Sequence, residues 1–180
     1  RFNHEGIAIL PDRRTVFLGD DDVQGVLFKF VAEAPSDLSR GTLYAFRRDT
    51  TQWLPIQPGQ LTQARAAALA AGATPFSRIE DVEFNHYDGY VYFTETGDNA
   101  KSGADRYGRI WRLNPETSQL SVFMVGDPAT SFVNPDNLAV VPLTGELMIA
   151  EDRYIELMAP TPGRPNNSVF VANRTGNLTR

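Results

Sequence analysis

The chain has 180 residues and a formal net charge of −5, with 42% hydrophobic and 22% charged residues. That length allows one domain or one large piece of a bigger one, the composition is that of folded globular material, and the acidic balance argues against nucleic acid, whose phosphates demand basic patches. No apolar run reaches the roughly 18 residues of a membrane span; cysteine is absent and His4 and His86 are the only histidines, so any metal must be held mainly by oxygen, which favours hard cations such as calcium or ferric iron.

Taken from the N-terminus, Glu5–Asp20 (EGIAILPDRRTVFLGD) reads as two short apolar strands around an Asp12-Arg13 turn. Gly25–Val31 and Thr42–Phe46 follow as strands rich in β-branched and aromatic residues. Gln60–Ala71 (QLTQARAAALAA) is Ala-rich and stops before Gly72, which predicts a helix. It is an insertion between strand units, carried over one face, where it either covers core or stands near substrate. Glu80–Glu95 (EDVEFNHYDGYVYFTE) repeats the strand–turn–strand pattern around Asp88-Gly89, with His86 in the exposed turn. Arg106, Arg109 and Arg112 of RYGRIWR are assigned to the exposed face of a strand, and Ser121–Val125 is a further strand. Asp136–Glu151 (DNLAVVPLTGELMIAE) repeats the pattern a third time around Thr144-Gly145. A tail over about 160–180, partly loop, carries glycosylation-type triplets at Asn166, Asn173 and Asn177, which suit a surface.

The three 16-residue windows align without gaps. Each opens on an acid (Glu5, Glu80, Asp136), places an apolar residue two positions on (Ile7, Val82, Leu138), and closes on an acid (Asp20, Glu95, Glu151). Short strands in repeated hairpins predict an all-β fold, a partial β-propeller of about three to four blades spanning 1–180, with one helical insertion. In an antiparallel hairpin the start of the first strand lies beside the end of the second. The six acids are therefore expected around one mouth of the axial channel, joined by neighbours such as Asp21, Asp22 and Asp81, where bound cations would offset their repulsion. Turn acids also occur with no such role, and Asp21 and Asp22 read equally as a solvated turn.

Several of these segments together resemble the PhoX alkaline phosphatase family of β-propeller proteins: Arg1–Gly6 (RFNHEG), Thr15–Asp22 (TVFLGDDD) with Leu27–Val31, Arg78–Glu83 (RIEDVE), Asn134–Ala139 (NPDNLA) and Ala150–Asp152 (AED). The resemblance implies a propeller whose axial site holds calcium and iron and hydrolyses phosphate esters. It implies metal ligands at Glu5, Glu80 and Asp136, and at Arg78 the catalytic arginine that binds phosphate oxygens. Glu83, Glu151 and Asp152 in the same motifs are further candidate ligands, and Asn137 a candidate substrate contact. Ile79 stands where the family has proline. The family's cysteine and lysine have no counterpart here, Lys29 and Lys101 lying in no matching motif, so the expectation is a C-terminal half, a chain completed by another, or a relative that has lost activity, with calcium alone if the site is degenerate.

The substrates expected from the resemblance are small phosphate esters, with no nucleic acid or membrane partner and with a periplasmic or secreted location. Two other readings compete: a calcium-dependent lactonase of the gluconolactonase kind, and a non-catalytic module stiffened by calcium. Three or four blades leave open strand edges, so pairing with the remaining half of a propeller, or with a second copy, is expected.

Overall fold

The computed structural model describes residues 2–98, 100–151 and 168–179. The chain begins with β1 (His4–Ile9), β2 (Thr15–Asp20), the two-residue β3 (Gly25–Val26), β4 (Phe28–Ala34), β5 (Asp37–Arg47) and β6 (Gln52–Ile56). A 3₁₀ turn at Pro58–Gln63 leads into α1 (Ala64–Ala70), then β7 (Pro75–Phe76), β8 (Val82–Asn85) and β9 (Tyr90–Glu95). The short α2 (Ala104–Tyr107) precedes β10 (Arg109–Leu113), β11 (Leu120–Val125), β12 (Pro135–Val140), β13 (Leu147–Glu151), β14 (Val169–Ala172) and β15 (Leu178–Thr179).

These strands form three antiparallel sheets, ordered β1-β2-β4-β5-β6, β11-β10-β9-β8 and β12-β13-β14-β15, with β3 pairing β7 beside them. Each is one blade of a β-propeller, and the three hairpins β1–β2, β8–β9 and β12–β13 coincide with the three sequence windows. β8 contacts both β1 and β12, so the innermost strands stand next to one another.

Alternation decides what packs between blades. Along β2 and β9 the odd-numbered Phe17, Val91 and Phe93 face the wedge between the first two blades, where Phe46, Phe76 and Trp111 join them. Tyr92 and Ile110 point the other way and meet Leu138, Leu147, Ile149 and Phe170 of the third blade. Burying each such side chain contributes about 1.5–3 kcal/mol. The second blade is therefore apolar on both faces.

The helical insertion covers core: Ala64 and Ala68 pack with Val26, Phe28, Ala45 and Ile56 on the outer side of the first blade. Its opening residues belong to the 3₁₀ turn Pro58–Gln63, and the α-helix begins only at Ala64. RYGRIWR is a correction. Arg106 lies on α2, while Arg109 and Arg112 stand three apart on β10 and so fall on opposite faces. Of the tail, 160–167 lies outside the described residues, and 169–179 supplies β14 and β15. Among the described residues no helix is long and apolar enough to cross a membrane, which says nothing of β-barrels.

Candidate functional site

The six window acids divide into two sets of three. The closing acids Asp20, Glu95 and Glu151 are only 0%, 8% and 5% exposed, and each accepts a main-chain N–H from the loop that leads into its own hairpin. Asn3 donates to Asp20 at 2.9 Å, Ser77 to Glu95 at 3.0 Å and Val133 to Glu151 at 2.8 Å. The remaining oxygens are also engaged. Val26 N–H and Arg65 bond Asp20, Trp111 Nε1–H bonds Glu95 at 2.8 Å, and Ser168 N–H bonds Glu151 at 3.1 Å. Buried carboxylates satisfied in this way hold a loop against a sheet. This corrects the expectation of six carboxylates around one mouth; Glu151, a candidate ligand by sequence, accepts the Val133 and Ser168 N–H groups here.

The opening acids behave differently. Carboxylate oxygens of Glu5, Glu80 and Asp21 lie within 4.8 Å of one another, Glu5 exposed and the other two half-buried. A close approach of β1 to the segment entering β8 brings them together. Gly6 N–H donates to the Glu80 carbonyl at 2.9 Å, and a Cβ at Gly6 would stand 2.3 Å from Val82 N. Only glycine fits there, which explains the Gly of RFNHEG.

Arg78 sits against this cluster. Its Nε donates to Asp21 Oδ1 at 3.0 Å, and a terminal nitrogen pairs with Glu80 Oε1. The residue has φ +63°, and its N–H donates to the Asp22 carbonyl at 2.8 Å. Asn134, at the matching point of the third blade, has φ +48° and bonds the Tyr107 carbonyl in the same manner. The left-handed backbone is thus a repeated loop feature, used in one blade to carry a guanidinium. Burial pushes the Glu80 carboxyl up to about 7; Arg78 opposes this, and Asp21, Asp136 and Glu5 add to it.

Asp136 is half-buried at the start of β12, where its charge reaches Glu80. Asn137 beside it is exposed. Glu83 lies apart from the cluster, next to Asp81, and burial followed by the Asp81 charge raises its pKa. Asp81 accepts from Leu138 N–H at 2.7 Å and so ties β8 to β12. Asp22 is engaged by Arg65 at 2.6 Å, whereas Asp21 belongs to the cluster. Asp152 lies outside the described residues. His4 is exposed and edge-on to Phe2, and His86 is exposed in its turn beside Tyr87.

Sequence reading left Asp21 between a cation site and a solvated turn, and missed the division of the acids. The signal for the division is present: Phe2, Phe76 and Phe132 each immediately precede the donor residue, and the donors lie 17, 18 and 18 positions before their acids. The donor set suits a hard cation. All three clustered groups are carboxylates, and Glu80 keeps a proton toward neutral pH that a cation would displace.

Comparison with known proteins identifies the fold. A Pseudomonas fluorescens PhoX, solved in complex with vanadate, a transition state analogue, superposes with a TM-score of 0.83 at 25% sequence identity, over 99% of this chain and 44% of that one. The chain thus spans less than half the length of that relative. No curated protein matches it. The family model for alkaline phosphatase PhoX matches residues 1–179, and the chain belongs to that family.

Proposed function

We propose that this chain carries part of the active site of a metal-dependent phosphatase that hydrolyses phosphate monoesters. The observation that carries the reading is the placing of Arg78 against the Glu5, Asp21 and Glu80 carboxylates. The vanadate complex of the Pseudomonas relative supports the same chemistry.

Phosphoryl transfer needs positive charge around the equatorial oxygens and little covalent help from the protein. Glu5, Asp21 and Glu80, with Asp136 near, would hold the cation, which supplies that charge when bound; calcium and iron are the metals we propose, or calcium alone. Arg78 offers planar paired donors for two phosphate oxygens. To bind substrate, Arg78 would give up its contacts with Asp21 and Glu80, the same carboxylates that would hold the cation. Glu80 would pass its proton to solvent on becoming a ligand. The arginine is then a substrate-binding catalytic residue, and the carboxylates position charge rather than move protons to the ester.

The test is turnover of p-nitrophenyl phosphate by the protein loaded with calcium and iron, compared with Arg78→Ala and Arg78→Lys. Loss of at least about 100-fold in kcat/KM is expected for Ala, with partial recovery in Lys, since a preorganised charged donor is worth about 10²–10³ in rate. Unchanged turnover in a folded Arg78→Ala protein, or hydrolysis of lactones in preference to phosphate monoesters, would overturn the reading.

A further inference from the structure

Lys29 takes no part in the site above. It lies on β4, opposite Phe17 of β2 and Tyr44 of β5, so its side chain enters the wedge between the first two blades. There its ammonium stands 4.3 Å from the centre of the Trp53 ring and 5.6 Å from that of Tyr44. Among the described residues it has no carboxylate within ion-pair distance. Burial holds its pKa below the ordinary lysine value. The ring faces attract the ammonium but leave its N–H donors without an oxygen acceptor among the described residues.

The space it faces is a cavity of about 430 Å³, within the range of small-molecule sites. Its lining is mixed: Leu10, Val31, Phe84 and Pro115, contributed by both blades, form an apolar part, and Thr15 and Lys29 a polar one. It lies at the turn end of the hairpins, whereas Glu5 and Glu80 stand at the opposite end of the strands. Two acids, Asp12 and Glu116, also border it. Asp12 is already occupied, accepting from Arg14 N–H, Thr15 N–H and the Thr15 hydroxyl. Lys29 offers one cation to a single carboxylate, while the acids Asp12 and Glu116 oppose further negative charge on the same ligand.

We propose that this inter-blade cavity is a second ligand site, separate from the phosphatase centre, that binds a small monocarboxylate with an apolar body. The carboxylate pairs with Lys29, and the body lies against Leu10, Val31, Phe84 and Pro115. Trp53 backs the ammonium, so ligand binding alters the surroundings of its indole.

The experiment is a titration of the protein with benzoate at neutral pH, read by calorimetry and by Trp53 emission. Benzamide and inorganic phosphate are the comparison ligands. Lys29→Met, of similar length and without charge, is the variant, checked for native fold by circular dichroism and thermal melting. The expected result is saturable benzoate binding, weakened at least about tenfold in Lys29→Met and for uncharged benzamide, as removal of one charge-assisted contact implies. Inorganic phosphate is expected not to compete. The proposal is overturned if benzoate does not bind, if Lys29→Met binds it equally, or if phosphate displaces it from wild type. Because the readout is binding rather than turnover, the result stands apart from the phosphatase reading.

Discussion

Glu80 is the residue on which the carboxylate cluster turns. Its carboxyl is desolvated and faces three acids, with Arg78 as the opposing charge, and it titrates at about 7 instead of the ordinary 4.5. Between those values the folded protein keeps a proton that the unfolded chain has released. Its contribution to stability is thus fully present below about pH 4.5 and is lost as pH rises through about 7. In metal-free protein the urea midpoint is expected to fall across that window, and Glu80→Gln to flatten the fall. A midpoint with the same pH dependence in both proteins would show that the proton is held elsewhere. Asp21 and Asp22 make the complementary point. The two are adjacent and chemically identical, yet one joins the cluster and the other is held by Arg65 of α1.

At the scale of elements, the repeated unit is a hairpin whose buried closing acid fastens the loop that precedes it. In the second blade Glu95 accepts from Ser77 N–H and Trp111 Nε1–H, with Arg109 Nε at 3.3 Å. Glu95→Ala leaves both donors buried without an acceptor and is expected to cost about 3–5 kcal/mol, as for removal of one member of a buried charged network. Glu95→Gln, which keeps an oxygen acceptor, is expected to lose less. Chemical denaturation distinguishes them, and equal stability of the Ala and wild-type proteins would show that the loop is held by other contacts. Since Ser77 adjoins Arg78, the same fastening fixes where the guanidinium begins. The Gln60–Ala71 segment illustrates the other role of an element: α1 covers the first blade through Ala64 and Ala68, while Arg65 reaches Asp20 at 2.5 Å.

Over the whole molecule, each blade packs against a neighbour, and the third has a neighbour on one side among the described residues. Leu147, Ile149 and Phe170 face the second blade. The alternate positions face away, and there Met148 and Val169 are 41% and 50% exposed. On β1, Ile7 and Ile9 are exposed in the same manner. Apolar blade faces of this kind are interaction surfaces, so the isolated chain is expected to self-associate in a light-scattering concentration series. Met148→Glu combined with Val169→Lys is expected to shift it toward monomer; a wild-type monomer at all concentrations would refute the expectation.

Local pattern alone was enough to identify the three hairpins, because alternation of apolar residues with a turn between is a property of contiguous sequence. It also identified the acids that open and close them, whereas the motifs holding Glu5, Arg78 and Glu80 stood out by their resemblance to the PhoX family. Which acids meet was decided by tertiary structure. The register between β1 and β2 shifts between His4 and Ile7, and that between β12 and β13 between Pro135 and Leu138. Such irregularities redirect a side chain at the start of a strand, and they depend on the partner strand rather than on the residues that carry them. The grouping of Asp21 with Glu5 and Glu80, and the enclosure of Lys29 between two blades, likewise join segments far apart in sequence. Spacing along the chain holds no record of either, because each exists only once the blades have packed.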